Sequence, residues 1–187
     1  MHEMIKELED CPVIAAVKDE QGLRACLKSE SSVVFVLYGD ISSISTIVEM
    51  IKDSGKYAVV HIDLIQGLGN KEISVDFIRK QTHADGIIST RPAMIRRAGE
   101  LGLFTVMRHF VIDSMAYENI QKQTAAACPD VIEILPGLMP KVIRKICQTV
   151  RRPVIAGGLI SEKEDIIAAL KAGAAAISTT NQQVWFM

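Results

Sequence analysis

The segment PVIAGGLISEKEDIIAALKAGAAAISTT, Pro153 to Thr180, contains one complete β-α-β repeat. An apolar run from Pro153 to Ala156 ends in the pair Gly157-Gly158, and a stretch of helical period follows. That stretch stops at Gly173, where a left-handed helix end is cheapest. A second apolar run, Ala175 to Thr179, then closes on hydroxyls at Ser178, Thr179 and Thr180. Runs apolar at every position predict strands covered on both faces, the condition of a parallel sheet wrapped by helices.

Working outward, the same alternation extends to the start of the chain. Six earlier strands are predicted near Pro12 to Val17, Ser32 to Leu37, Tyr57 to Leu64, Asp85 to Ser89, Leu103 to Arg108 and Asp130 to Leu135, after an N-terminal helix within residues 1–10 (Met1 to Glu9). Amphipathic stretches separate them. In Ser42 to Ser54, Ile44, Ile47, Val48 and Ile51 form one face opposite Glu49, Lys52 and Asp53. Gly55 and Gly102 stop helices as Gly173 does. Eight β-α repeats predict an α/β fold of the closed (β/α)₈ TIM-barrel type, one domain over 1–187. An open doubly wound sheet fits less well, because its first turn carries a glycine fingerprint and this first turn reads Lys18-Asp19-Glu20. Such barrels usually run to about 200 residues or more, so short loops and a stunted last helix from Asn181 are expected.

Composition narrows the function. Hydrophobic residues make up 49 % and aromatics 5 %, leaving the core to Ile, Val, Leu and Ala. Cys11, Cys26, Cys128 and Cys147 show no zinc or redox spacing and read as reduced, buried thiols. No metal cluster or cofactor fingerprint is visible. The acidic start MHEMIKELED is unlike a signal peptide and no run is long enough for a membrane span, so a cytoplasmic protein with no membrane partner is expected. A net charge of −1 gives no global attraction to nucleic acid.

Barrel sites lie at the carboxyl ends of the strands. Here those ends carry Lys18, Tyr38, Asp40, His61, Asp63, Ser89, Arg91, Arg108, His109, Glu133, Gly157, Gly158 and the run Ser178 to Asn181. Gly-Gly alone is a turn and Ser-Thr-Thr alone an N-cap. Together, after strands seven and eight, they form the recurrent phosphate site of this fold, with backbone N–H groups of Gly157, Gly158, Ser178, Thr179 and Thr180 as donors. His61 and Asp63, two apart on one predicted strand, are expected on one side of it. With Lys18, Asp40 and Glu133 they are candidates for holding hydroxyl groups. His2 and His83 carry no visible role. Lys141, Arg144 and Lys145 share one helix face, followed by Arg151 and Arg152. This is the candidate polyanion stripe, with Arg91, Arg96 and Arg97 as a second set. Either set alone is more often an ordinary solvated face.

Taken together, these motifs resemble the glycerol-3-phosphate-responsive antiterminator family. The resemblance rests on Cys11 to Lys18 (CPVIAAVK), His61 to Leu68 (HIDLIQGL), Asp85 to Arg91 (DGIISTR), Ile132 to Gly137 (IEILPG), Pro153 to Ile160 (PVIAGGLI) and Ala176 to Thr180 (AISTT). It implies a regulator of glycerol metabolism, not an enzyme, that binds glycerol 3-phosphate as effector and acts on leader mRNA to prevent premature transcription termination, with no cofactor. RNA binding is expected at Lys141, Arg144, Lys145, Arg151 and Arg152, and a homodimer is one route for coupling effector to RNA. The competing reading is a sugar-phosphate isomerase, lyase or aldolase, for which His61, Asp63, Glu133 and Lys18 are competent acid-base groups. A plain scaffold protein would not need so many polar strand ends.

Overall fold

Each strand is a four- to seven-residue, largely apolar segment that follows a helix and its stopping turn, and the fifth and sixth carry Arg108, His109 and Glu133 within them. In the computed structural model, which describes residues 3–187, the strands are β1 (Val13–Val17), β2 (Val33–Val36), β3 (Tyr57–His61), β4 (Gly86–Ser89), β5 (Phe104–Phe110), β6 (Val131–Leu135), β7 (Val154–Gly157) and β8 (Ala176–Thr179). They close in sequence order into one barrel, every neighbouring pair parallel and β8 pairing with β1. The helices between them are α2 (Glu20–Cys26), α3 (Ile44–Asp53), α4 (Ile73–Gln81), α5 (Pro92–Glu100), α6 (Ser114–Ala127), α7 (Pro140–Thr149) and α8 (Lys163–Lys171). The fold is the expected (β/α)₈ barrel.

Side-chain alternation sorts the core into an inner plug and an outer shell. Val33 and Phe35 join Ile14, Val59, Ile88, Val106, Val131 and Ile155 in one buried cluster inside the barrel. Val34 and Val36 instead pack outward with Leu23, Ile47, Ile51 and Ile78 of the surrounding helices. Each such fully buried aliphatic contributes roughly 1.5–3 kcal/mol. Helix α1 (Glu3–Asp10) buries Met4 and Leu8 in the inner cluster, so it stoppers the end of the barrel opposite the strand carboxyl ends. The expected N-terminal helix is present from Glu3; Met1 and His2 lie outside the described residues.

Gly55, Gly102 and Gly173 all have positive φ (78°, 72° and 107°), the helix-stop role read from sequence. The stunted end is a 3₁₀ helix, Gln182–Phe186, where Trp185 is buried and its Nε1 donates to the Thr179 carbonyl at 2.9 Å. Two expectations are corrected. The third strand stops at His61 rather than Leu64, because Ile62–Leu64 forms a 3₁₀ turn, so His61 and Asp63 do not share a strand face. The cysteines are free, but only Cys26 is buried; Cys128 is exposed at the left-handed cap of α6 (φ 50°).

Candidate functional site

At the carboxyl ends of the strands a cavity of about 420 Å³ opens, and both halves of the expected phosphate site border it. Gly158, Leu159, Ile160 and Ser161 come from the loop after β7; Ser178, Thr179, Thr180 and Asn181 come from β8 and the turn that follows. Thr179 clamps the two loops together. Its hydroxyl donates to the Ile160 carbonyl at 2.7 Å and accepts from the Asn181 N–H at 3.1 Å. The backbone N–H groups of Gly158, Leu159 and Thr180 make no hydrogen bond among the described residues, leaving three donors at the cavity wall. Gly158 and Leu159 both have positive φ (78° and 63°). A left-handed leucine costs about 1–2 kcal/mol, and composition gave no sign of one here. Such strain is characteristic of ligand loops.

Gly157 stands behind this wall rather than in it. A Cβ on Gly157 would lie 2.6 Å from both Glu133 Oε1 and Ser178 Oγ, so glycine is what lets these two groups meet. Glu133 is fully buried. It accepts from Ser178 Oγ and from Arg108 Nε, each at 2.5 Å. Parallel register sets the pair: Arg108 and Glu133 are directly opposed on β5 and β6. A buried carboxylate is tolerable only when paired and hydrogen-bonded, and Glu133 is both. The Arg108 Nη groups make no hydrogen bond among the described residues, and Arg108, Glu133 and Lys18 all border the cavity. Arg108 was legible only as one strand-end residue among many; its pairing with Glu133 was not.

His61 ends β3 and is 4 % exposed, with its Nδ1 buried and without a hydrogen bond. Burial, then the nearby Arg108 cation, pushes its pKa down to about 4, so the ring is neutral at pH 7. Asp63 is turned away to the next loop. Its carboxylate accepts from Ser89 Oγ, Thr90 N and Oγ1, and Arg91 Nη1, the last at 2.5 Å. Asp40 is likewise occupied: it accepts from the N–H and hydroxyl groups of Ser42 and Ser43 just before α3, which lowers its pKa to about 2. Neither borders the cavity. Of the five residues expected at the hydroxyl end, the structure brings Lys18 and Glu133 to the cavity; His61, Asp40 and Asp63 do not border it, and the two aspartates bond the loops after β2 and β4.

Lys141, Arg144 and Lys145 lie exposed along α7, and Arg151 and Arg152 lie exposed before the amino end of β7. None of the five forms an ion pair among the described residues. The second basic set differs. Arg97 is held by Asp76 and Glu100, and Arg91 by Asp63. Among the described residues no group of three or more His, Cys, Asp or Glu is gathered to hold a metal ion, and no helix is long and apolar enough to cross a membrane.

The family model for glycerol-3-phosphate responsive antiterminators matches residues 13–185, which takes in every strand of the barrel and both loops of the cavity. The chain belongs to that family. Solved relatives agree. A glycerol uptake operon antiterminator regulatory protein from Listeria monocytogenes superimposes with a TM-score of 0.89 at 32 % identity, over 92 % of this chain and 94 % of that one. A glycerol uptake operon antiterminator-related protein from Thermotoga maritima gives 0.84 at 36 % identity, over 95 % and 99 %. The uncharacterized protein YgcP of Escherichia coli is 49 % identical over 178 residues, 95 % of this family member and 93 % of YgcP. Deoxyribose phosphate aldolase from Aeropyrum pernix, at 14 % identity and a TM-score of 0.70 over 97 % and 94 %, shares the fold alone.

Proposed function

We propose that this chain is a cytoplasmic regulator that senses glycerol 3-phosphate and, when loaded, binds the leader mRNA of glycerol-utilisation genes to prevent premature termination. The observation that carries the reading is the single cavity bordered by both phosphate-type loops on one side and by the Arg108–Glu133 pair on the other. The phosphate takes the free N–H groups of Gly158, Leu159 and Thr180 and the hydroxyl of Thr180, while Ser178 keeps its one proton on Glu133 and Gly157 makes room behind them. Lys18 at the rim adds a positive charge. At the far end Arg108 and Glu133 cancel in charge, which suits neutral hydroxyls rather than a second anion. RNA phosphates are held by Lys141, Arg144, Lys145, Arg151 and Arg152, five exposed cations with no ion pair among the described residues.

The protein carries out no chemistry on its ligand and needs no cofactor. Glu133 is the one carboxylate at the cavity, and it is engaged by two donors. Lys18 is exposed at the rim, whereas an amine nucleophile is activated by desolvation in an apolar pocket.

The test has two parts. Glycerol 3-phosphate at about 100 times its Kd adds roughly 2.7 kcal/mol to the stability of the fold, read as a melting shift, and glycerol gives far less. Equal shifts from both compounds refute the phosphate site. A filter-binding titration with leader RNA then shows tighter binding in the presence of the effector. Turnover of glycerol 3-phosphate or a triose phosphate, followed by NMR, refutes the regulatory reading.

A further inference from the structure

A second cavity, about 230 Å³, lies beside the first, between the carboxyl ends of β4 and β5 and one face of α6. Thr90, Arg108, His109, Phe110, Asn119 and Gln123 border it, with Ala116, and none of them is acidic. Asn119 and Gln123 are one turn apart on α6, so their carboxamides leave the same helix face. Neither carboxamide makes a hydrogen bond among the described residues. Phe110 ends β5 with half of its surface in solvent. His109 is buried, and its Nε2 lies 3.4 Å from Thr124 Oγ1.

This combination selects a kind of ligand. An exposed aromatic face offers stacking, two free carboxamides offer paired donors and acceptors, and Arg108, neutralised by Glu133, still offers its free Nη donors. An apolar peptide side chain leaves the amides unsatisfied, and a small anion gains nothing from the phenyl ring. A flat heterocycle whose edge mixes donors and acceptors uses every group, and single-stranded RNA is read in this way, by aromatic stacking and hydrogen bonds to base edges.

We infer that this cavity takes one unpaired nucleobase of the RNA, stacked on Phe110 with its edge read by Asn119 and Gln123. The inference rests on the RNA-binding function proposed above and adds a base-specific contact to the sequence-independent stripe. Lys145 of that stripe lines a groove on the other flank of α6 together with Tyr117, Asp113 and Glu118, so the base cavity and the stripe are separated by one helix. Arg108 borders both the effector cavity and the base cavity, so a ligand that draws on its free Nη groups alters the wall of both.

The probe is single-stranded leader RNA carrying 2-aminopurine at one purine position at a time, titrated in saturating glycerol 3-phosphate. The expected result is quenching at one position, lost in Phe110→Ala and kept in Phe110→Trp. Loss of one stacked base weakens RNA binding by roughly 5- to 150-fold. Gln123→Ala weakens it in the same RNA, while the melting shift caused by glycerol 3-phosphate is unchanged in both alanine variants. RNA binding at wild-type strength in Phe110→Ala and Gln123→Ala, with loss in Arg144→Ala, overturns the base site and leaves the regulatory reading standing. No RNA binding by the wild-type protein overturns both, and the melting shift then reports on the effector half alone. Phe110 and Gln123 are largely exposed, so a far-UV spectrum and melting midpoint like those of wild type are expected for either variant.

Discussion

Removing the Arg108 guanidinium separates electrostatic pairing from packing at the centre of the site. Arg108 is 8 % exposed and Glu133 is fully buried, so Arg108→Met leaves a carboxylate in the barrel interior with Ser178 as its one remaining donor. Breaking a buried pair in this way costs about 3–5 kcal/mol, a large share of the 5–15 kcal/mol that holds a typical domain folded. Glu133→Gln strands the cation instead and costs a similar amount. The double variant removes both charges and keeps most of the volume, so its loss falls well short of the sum. For two residues in direct contact the coupling is expected near 3 kcal/mol, the top of the usual range. Urea unfolding followed through Trp185, the one tryptophan of the chain and a buried one, reads all four proteins. A double variant whose loss equals the sum of the single losses refutes the pairing. A single Arg108→Met loss below 1 kcal/mol refutes the claim that Glu133 is buried as a charge.

Other consequences are open to measurement. His61 and His109 have pKa values pushed down by burial from 6.5 to about 4, His61 also by Arg108, so the folded state binds fewer protons than the unfolded chain between those limits. Stability from each ring is therefore full above about pH 6.5 and lost as pH falls towards 4, on the order of 3 kcal/mol per ring, and His109→Gln flattens the urea midpoint over that window; an unchanged slope shows that His109 is not a buried neutral ring. Cys128, exposed, reacts with a thiol reagent in the native protein, whereas Cys26, buried and with its pKa raised to about 11, reacts only on unfolding; simultaneous labelling would contradict the packing of α2 against the barrel. Arg144→Ala with Arg151→Ala removes two phosphate contacts and lowers the log-log salt slope of RNA binding by roughly 1.4 for a single strand; a slope equal to that of wild type moves the RNA off the α7 stripe.

How much of this is legible in a single sequence depends on whether a feature is local. Strand limits are legible to within a residue or two in most repeats, because most strands are short apolar runs and each helix stop at Gly55, Gly102 and Gly173 is a backbone requirement of that residue alone. The two loops that border the cavity at the strand carboxyl ends are legible for the same reason. Tyr57 to Leu64 failed because a continuous apolar-alternating run does not reveal where a strand bends into a 3₁₀ turn; what ends it is Asp63 collecting donors from Ser89, Thr90 and Arg91, all more than twenty-five residues away. Asp40 carried a local signal that pointed elsewhere: Asp-x-Ser-Ser before a helical run is helix-start chemistry, and its side chain bonds accordingly.

The Arg108–Glu133 pair is legible only with the strand register in hand. Counting inward positions along β5 from Val106 reaches Arg108, and counting along β6 from Val131 reaches Glu133, but only the closed parallel barrel puts those positions side by side. Once they are adjacent, the other requirements follow physically. The carboxylate needs a second donor, which Ser178 supplies from β8, and that bond needs the space between β6 and β8 empty of side chain, which explains glycine at 157. The Gly-Gly pair thus serves two separate ends. Gly158 turns the chain so that N–H groups reach the cavity, and Gly157 keeps open the room in which Glu133 is neutralised, so that Arg108 meets a ligand with its Nη donors free.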